Sequence, residues 1–139
     1  MIFDILRAAF VEATPEEKVR QRLIHYMLYE GAYPKAAILV ERGIDTLPFR
    51  KPGGRQDSRI DLLVLHQAKP LLLIECKRED SLALATSQVF AYNEYVDAPF
   101  LAVAGPTTIV TYWKDAKGWN QTPGLPHYTS LLDAISSSN

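Results

Sequence analysis

The stretch Pro70-Leu71-Leu72-Leu73-Ile74-Glu75-Cys76-Lys77 is an apolar run that ends in a carboxylate, a thiol and an ammonium group. A run of this kind predicts a buried β-strand. Because side chains alternate across a strand, Glu75 and Lys77 share one face and Cys76 lies on the other, as a core thiol. The strand therefore directs an acid and a base to the same side of a sheet.

A second apolar segment, residues 60–65, lies just before this strand, and only residues 66–69 separate the two. The short connection predicts a β-hairpin. With a tight loop at residues 67–69, the pairing sets Leu65 opposite Leu71 and Asp61 opposite Glu75. The two carboxylates would then be about 4.5–5.5 Å apart at Cβ.

Like charges directly opposite each other destabilise a plain sheet, so the pair Asp61 and Glu75 predicts a cation between them. Oxygen ligands without imidazole or a second thiolate favour Mg²⁺ or Mn²⁺ over zinc. Such an ion polarises a phosphoryl oxygen and lowers the pKa of a bound water. Lys77 would orient or deprotonate that water, or neutralise charge that develops on phosphorus. An Asp followed by Glu-x-Lys on the next strand is typical of metal-dependent phosphodiester cleavage.

At these residues the chain resembles the PD-(D/E)XK nuclease superfamily, and most closely the nuclease domain at the N terminus of type I restriction enzyme R subunits. The order and spacing of several short pieces carry the resemblance, which runs from about residue 14 to residue 112. Ile60 departs from the pattern, since a proline commonly precedes the aspartate. The matching pieces are Pro15-Glu16-Glu17-Lys18-Val19-Arg20-Gln21, Gly31-Ala32-Tyr33-Pro34, Arg59-Ile60-Asp61, Glu75-Cys76-Lys77, and Gln88 with Tyr92-Asn93.

The resemblance implies a restriction-endonuclease-like α/β fold, with a central mixed β-sheet of four to five strands flanked by α-helices. It also implies a Mg²⁺- or Mn²⁺-dependent endonuclease that hydrolyses DNA, with Asp61 and Glu75 as metal ligands and Lys77 as a catalytic residue. Gln88 and Tyr92 look like the glutamine-tyrosine pair that lines the substrate side of the site in many superfamily members. They lie on a helix predicted over residues 82–96 with Ser81 as its cap. The role beside the substrate is favoured, and an amphipathic helix that merely covers the sheet is the alternative.

The first helix is predicted to begin after Thr14 as N-cap, with Pro15 at its first position and Glu17 closing a capping box, and to run to about Tyr29. At ~100° per residue, Glu16 and Arg20 lie within its apolar face and Glu17 on its flank. Related nucleases place an acidic residue of this helix at the edge of the metal site. The helical wheel favours Glu16 over Glu17 for that role, and both also suit a helix start, where acids stabilise the dipole.

Basic and turn-forming residues dominate residues 48–59. Arg50, Lys51, Arg55 and Arg59 are candidates for phosphate contacts in DNA, although a solvated loop explains them nearly as well. The glycines of this loop lack the Gly-Lys-Ser/Thr ending of a phosphate-binding P-loop.

Further strands are predicted at residues 36–44, 99–105 and 108–114. Glu41, near the end of the first of these, is interpreted as a solvated edge carboxylate, with a site residue as the alternative. The strand at residues 99–105 follows a crossover helix, so it is expected to run parallel to the strand of Glu75. Residues 1–13 are read as an arm or short helix, residues 115–119 as a surface turn, and residues 128–135 as a short helix.

The 139 residues predict a single domain, 1–139, with its own core. The formal net charge of −1 disfavours nonspecific coating of nucleic acid, so DNA contact is expected from a local patch or a partner. One cysteine and no apolar run of ~18–20 residues favour a cytoplasmic protein without a membrane span. Partner subunits or a homodimer are further candidates, because a double-strand break needs two active sites.

Two functions follow from the sequence. The first is a metal-dependent endonuclease domain. The alternative is a noncatalytic nucleic-acid-binding or assembly module that retains the nuclease fold, in which Asp61, Glu75 and Lys77 are merely strand ends with a surface ion pair.

Overall fold

The strand that ends in Glu75-Cys76 lies inside the main sheet and is covered on both faces. The structure, a computed structural model, describes residues 1–47 and 59–137, apart from the side chain of Asp45. Its helices and strands are, in chain order, β1 (Ile2–Asp4), β2 (Ala9–Val11), α1 (Pro15–Tyr29), β3 (Ile38–Gly43), β4 (Arg59–His66), β5 (Lys69–Cys76), α2 (Ala83–Val96), β6 (Phe100–Ala104), β7 (Ile109–Asp115), β8 (Gly118–Pro123) and α3 (Tyr128–Ser137). Short 3₁₀ turns flank β3 at Lys35–Ala37 and Ile44–Thr46.

Six strands form the main sheet in the order β3-β4-β5-β6-β7-β8. Every neighbouring pair is antiparallel except β5 and β6, which are parallel and are joined by α2. The predicted α/β fold class and the parallel pair are therefore confirmed. The sheet exceeds the expected four to five strands because β8, an edge strand with alternating polar residues, contains no apolar run that would have marked it.

The two faces of the sheet carry separate apolar cores. Leu62, Ile74 and Cys76 belong to the core beneath α1 and α3. Leu63 and Leu73 belong to the core beneath α2. Because Cys76 is 1% exposed, the predicted core thiol is confirmed.

The hairpin between β4 and β5 has a shorter loop than predicted. Gln67 and Ala68 both adopt left-handed backbone conformations, with φ of 52° and 63°, as a two-residue hairpin loop requires. His66 therefore pairs with Lys69, and Leu65 with Pro70 rather than Leu71.

A β-bulge between Val64 and Leu65 then shifts the pairing by one residue, so that Leu63 pairs with Leu73 and Leu62 with Ile74. The loop and the partner of Leu65 were predicted wrongly. The register next to the site was predicted correctly because the shorter loop and the bulge compensate each other.

Helix α1 begins as predicted, since the Thr14 Oγ1 atom accepts from the Glu17 backbone N–H at 3.1 Å. The reciprocal half of the capping box is absent: the Thr14 backbone N–H donates to the carbonyl of Glu12. The α2 cap was also wrong, because Leu82, and not Ser81, is the N-cap and no side chain caps the helix.

The N-terminal arm is a two-stranded antiparallel hairpin, β1 with β2, rather than a short helix. Its turn residues Ile5 and Leu6 pack against the core beneath α1. Within the described parts of the chain, no helix has the length and apolar character needed to cross a membrane.

Replacing Leu73 with alanine tests the packing of the sheet on α2. Leu73 is 0% exposed, so L73A is expected to lower the free energy of unfolding by about 2–5 kcal/mol, through lost apolar burial and a residual cavity. Leu84 on α2 is 65% exposed, so the matched change L84A should shift the free energy of unfolding by less than about 0.5 kcal/mol. Urea unfolding measures both, and equal losses would contradict this core.

Candidate active site

Asp61 and Glu75 lie side by side on β4 and β5. Leu62 pairs with Ile74, so the next residue along each strand carries a carboxyl group. The Asp61 Oδ2 atom accepts a hydrogen bond from the Cys76 backbone N–H at 2.8 Å. The negative charge of Asp61 acts on the neighbouring Glu75. The predicted juxtaposition of the two acids is therefore present.

Glu75 is the more buried of the two acids, with 4% of its surface exposed. Among the described residues, no hydrogen-bond partner reaches its Oε1 atom. Burial, followed by the negative charge of Asp61 and the hydrogen bond to it, raises the pKa of Glu75 to about 10. The carboxyl group is therefore neutral at pH 7 unless a cation stabilises its charged form.

Lys77 follows β5 directly and is half-buried. Its backbone N–H donates to the carbonyl of Ala104 at 2.8 Å, which ties it to β6. The positive charge of Lys77 acts to lower the pKa of Glu75, against the larger effects of burial and Asp61. Lys77 therefore directly follows the strand end that carries Glu75, and its charge acts on that carboxyl group.

Arg20 of α1 connects this pair to the helix. Its guanidinium donates to Asp61 Oδ1 at 2.7 Å and to Glu17 Oε1 at 2.8 Å, and forms an ion pair with Glu41 at 3.0 Å. Burial acts to lower the pKa of Arg20, but the three carboxylates together outweigh it and raise the pKa above its ordinary value. Arg20 is therefore a fixed positive charge beside Asp61.

A second arginine comes from the N-terminal hairpin. Arg7 donates to Asp4, to Glu17 Oε1 at 2.8 Å and to Glu41 Oε2 at 3.1 Å. Arg7 and Arg20 therefore share both Glu17 and Glu41. The hairpin belongs to the network around the site.

Glu41 is part of this network and not the solvated edge carboxylate that was expected. Residues on either side of it pair with β4, Val40 with Leu62 and Arg42 with Ile60, so Glu41 lies opposite Asp61. Its φ of 50° is unusual for a residue other than glycine. Its carboxylate contacts both arginines, although 41% of the side chain is exposed.

The structure reverses the expected order of the two helix-start acids. Glu16 is exposed, whereas Glu17 is 7% exposed and contacts Arg7, Arg20 and Gln21. The helical wheel failed because α1 also buries polar residues that face the N-terminal hairpin and the ends of β3 and β4. Glu17 reaches Asp61 through Arg20.

Gln88 and Tyr92 are both half-buried on α2. Tyr92 packs against the core on the α2 face. Gln88 Oε1 is buried without a hydrogen-bond partner in the described parts of the structure, so its amide has an acceptor available. Their predicted role beside the substrate remains a prediction.

Of the four candidate DNA-binding residues, three lie outside the described residues, namely Arg50, Lys51 and Arg55. Arg59 is described as the first residue of β4. It is exposed and donates to the carbonyl of Glu41 at 3.2 Å.

The donor set suits a hard divalent cation. The described network contains more acids than cations. Its cationic groups are two guanidinium groups and Lys77, and its carboxyl groups are those of Asp4, Glu17, Glu41, Asp61 and Glu75. A cation beside Glu75 Oε1 would give this buried oxygen a partner. Within residues 1–47 and 59–137, no three His, Cys, Asp or Glu side chains are grouped so as to hold a metal ion. Two carboxylates suit Mg²⁺, which keeps several waters and takes oxygens from a phosphate.

Arg7, Arg20 and Glu41 were not identified as site residues from the sequence. A signal existed for Arg20, because it lies within the apolar face of the predicted α1. Glu41 was considered as a site residue, but the solvated edge carboxylate was preferred. Arg7 gave no signal, since its contacts depend on how the N-terminal hairpin folds onto the sheet.

A comparison with protein families gives a match over most of the chain. The model of the type I restriction enzyme R protein N terminus matches residues 15–126, most of the chain. A search of curated proteins found no significant match. The matched range includes α1 and every strand of the main sheet, and it begins after the N-terminal hairpin.

The metal-free protein is expected to lose stability as the pH rises. Folding raises the pKa of Glu75 from 4.5 to about 10, so the folded chain keeps a proton that the unfolded chain releases. This contribution is fully present below the unfolded pKa and is lost as the pH approaches the folded one, with a slope of up to about 1.4 kcal/mol per pH unit.

The variant E75Q, with a neutral side chain of the same shape, should therefore gain stability over the wild type as the pH increases. Urea unfolding of both proteins in EDTA at about pH 5 and about pH 9 measures the difference. Parallel stability curves would contradict the buried, neutral Glu75.

Proposed function

Because the chain belongs to the family of the type I restriction enzyme R protein N terminus, we propose that it is a metal-dependent endonuclease domain that hydrolyses phosphodiester bonds in DNA. The observation that carries the proposal is the buried Glu75 Oε1 atom, which has no hydrogen-bond partner among the described residues. The charges of Asp61 and Lys77 both act on this carboxyl group. A divalent cation would stabilise the charged form of this carboxyl pair. A perturbed pair of this kind is typical of functional sites rather than of strand ends with a purely structural role.

Asp61 and Glu75 are the proposed ligands of Mg²⁺ or Mn²⁺. When bound, such a cation supplies Lewis acidity toward a phosphoryl oxygen and a lowered pKa for a coordinated water. Glu75 must lose its proton to bind a cation, so binding is expected to tighten as the pH rises. Asp61 is already fixed at both oxygens, by Arg20 and by the Cys76 backbone N–H.

Lys77 is the proposed catalytic residue beside the two ligands. The charge of its ammonium acts on Glu75, and its backbone N–H is bonded to the carbonyl of Ala104. From that position it would orient the attacking water or neutralise charge on the phosphate in the transition state.

Other side chains are assigned supporting roles. Glu17, rather than the exposed Glu16, supports Asp61 through Arg20. Gln88 and Tyr92 would face the substrate. The Gln88 amide oxygen, which has no hydrogen-bond partner in the described parts of the chain, would serve as an acceptor. Arg50, Lys51, Arg55 and Arg59 would contact the phosphates of DNA beside the site. A partner subunit, or a second copy of the chain, would complete a double-strand break.

A nicking assay on supercoiled plasmid tests the proposal. Cleavage is expected with Mg²⁺ or Mn²⁺ and not in EDTA, and K77A should lower the rate by at least about 100-fold. The control is K69A, which removes an exposed lysine at the start of the same strand β5 and should leave the rate unchanged.

Parallel purification of the three proteins excludes a contaminating nuclease. Equal cleavage by the wild type and K77A would contradict the role of Lys77. DNA binding without metal-dependent cleavage would instead support the noncatalytic module.

A salt titration tests the proposed DNA-contacting loop. Binding of duplex DNA should weaken in R50Q/K51Q/R55Q, and the slope of log K against log salt should fall by about 0.9 for each phosphate that the variant no longer neutralises. A matched triple, K69Q/K114Q/K117Q, removes the same charge from exposed lysines elsewhere and should change the slope little. Equal slopes for the two triples would exclude the loop as a specific contact.

A further inference from the structure

We infer that Arg20 is a positioning residue that holds the carboxylate of Asp61 in the orientation in which Asp61 and Glu75 bind a divalent cation. This inference deepens the proposed function and rests on it. Arg20 would not contact the substrate or the reacting atoms. It would act through Asp61.

The first support is the way Arg20 is anchored. Its guanidinium joins Glu17 of α1, Glu41 of β3 and Asp61 of β4, at 2.8, 3.0 and 2.7 Å. Only 6% of its side chain is exposed. A buried cation held from three elements cannot leave without stranding buried charge. Arg20 is therefore built into the fold and is not a temporary occupant of the cation's place.

The second support is the geometry at Asp61. Its Oδ1 atom accepts from Arg20 and its Oδ2 atom from the Cys76 backbone N–H. The two contacts hold the carboxylate from both oxygens, and rotation of the group would break both. Each oxygen can still accept a further contact, because a carboxylate has about four acceptor positions.

The third support is the shape of the side chain. A guanidinium is a planar fork that can donate to several carboxylates in fixed directions, whereas an ammonium is a compact charge on a flexible stem. Arg20 uses one terminal nitrogen for Glu17 and Glu41 and the other for Asp61. This division of donors is what a lysine at position 20 could not reproduce.

Charge and positioning predict opposite effects of removing Arg20. A fixed positive charge next to Asp61 repels a divalent cation, so charge alone predicts that R20Q binds the metal more tightly. If Arg20 positions Asp61, R20Q binds it more weakly, in spite of the removed repulsion. The sign of the change therefore separates the two effects.

The experiment is a Mn²⁺ titration of the whole, metal-free chain, with free Mn²⁺ followed by electron paramagnetic resonance. The Kd of R20Q is expected to rise at least about tenfold above the wild type, as for other residues that orient metal ligands. The control R22Q removes the same charge from the same helix, at an exposed arginine that donates to the carbonyl of Pro106, and should bind as the wild type does. A Kd for R20Q equal to or below that of the wild type would overturn the inference.

Thermal unfolding shows whether R20Q folds. If it does not, the variant R20K tests the inference instead. R20K preserves the charge and removes the fork, so charge alone predicts an unchanged Kd and positioning predicts a raised one.

The ligand variant E75Q gives the reference for a disabled site. A wild type that binds Mn²⁺ no better than E75Q would refute the metal site, and the role of Arg20 with it. A wild type that binds Mn²⁺ while R20Q and R20K bind equally well would refute the role of Arg20 alone.

Discussion

Two carboxyl groups on neighbouring strands, one of them almost fully buried, place a constraint on everything around them. Asp61 and Glu75 cannot both be ionised in such surroundings without positive charge close by. Without a cation, Glu75 keeps its proton while Arg20 balances Asp61. The metal-free chain satisfies this constraint with the proton on Glu75. In the proposed function a metal ion would replace that proton, which would link metal binding to pH.

The same constraint explains why polar residues are buried on α1. A helix that only covered a sheet would present apolar residues, yet Glu17, Arg20 and Gln21 are all buried. Their side chains hydrogen-bond to one another or reach the strand ends and the N-terminal hairpin. Buried ion pairs of this kind contribute little net stability. We attribute these buried ion pairs instead to the fixed positions that they give to Asp61 and to the neighbouring carboxylates.

Much of the fold could be predicted from the sequence because the central strands are continuous apolar runs. The β4–β5 hairpin, the parallel partner β6 and the start of α1 follow from local signals. Other elements lack such signals: β8 is an alternating edge strand, and β1 and β2 have three residues each. The bulge between Val64 and Leu65 depends on how one residue is accommodated across two strands, which no local pattern specifies.

The candidate site likewise contains some residues that local sequence signals identify and others that they do not. Asp61, Glu75 and Lys77 stand at the ends of apolar runs, so sequence alone could bring them together. Arg20 contacts Asp61 only in the folded chain, and Arg7 and Glu41 join the same network through Arg20 and Glu17. One of these, Arg7, comes from the hairpin β1–β2, and the family match begins only at residue 15. A fragment trimmed to the family boundary would discard this cation and leave Glu17 and Glu41 to share a single arginine. The family match therefore begins inside the network of ion pairs and not at its edge. The N-terminal hairpin belongs to the same network as the carboxyl pair.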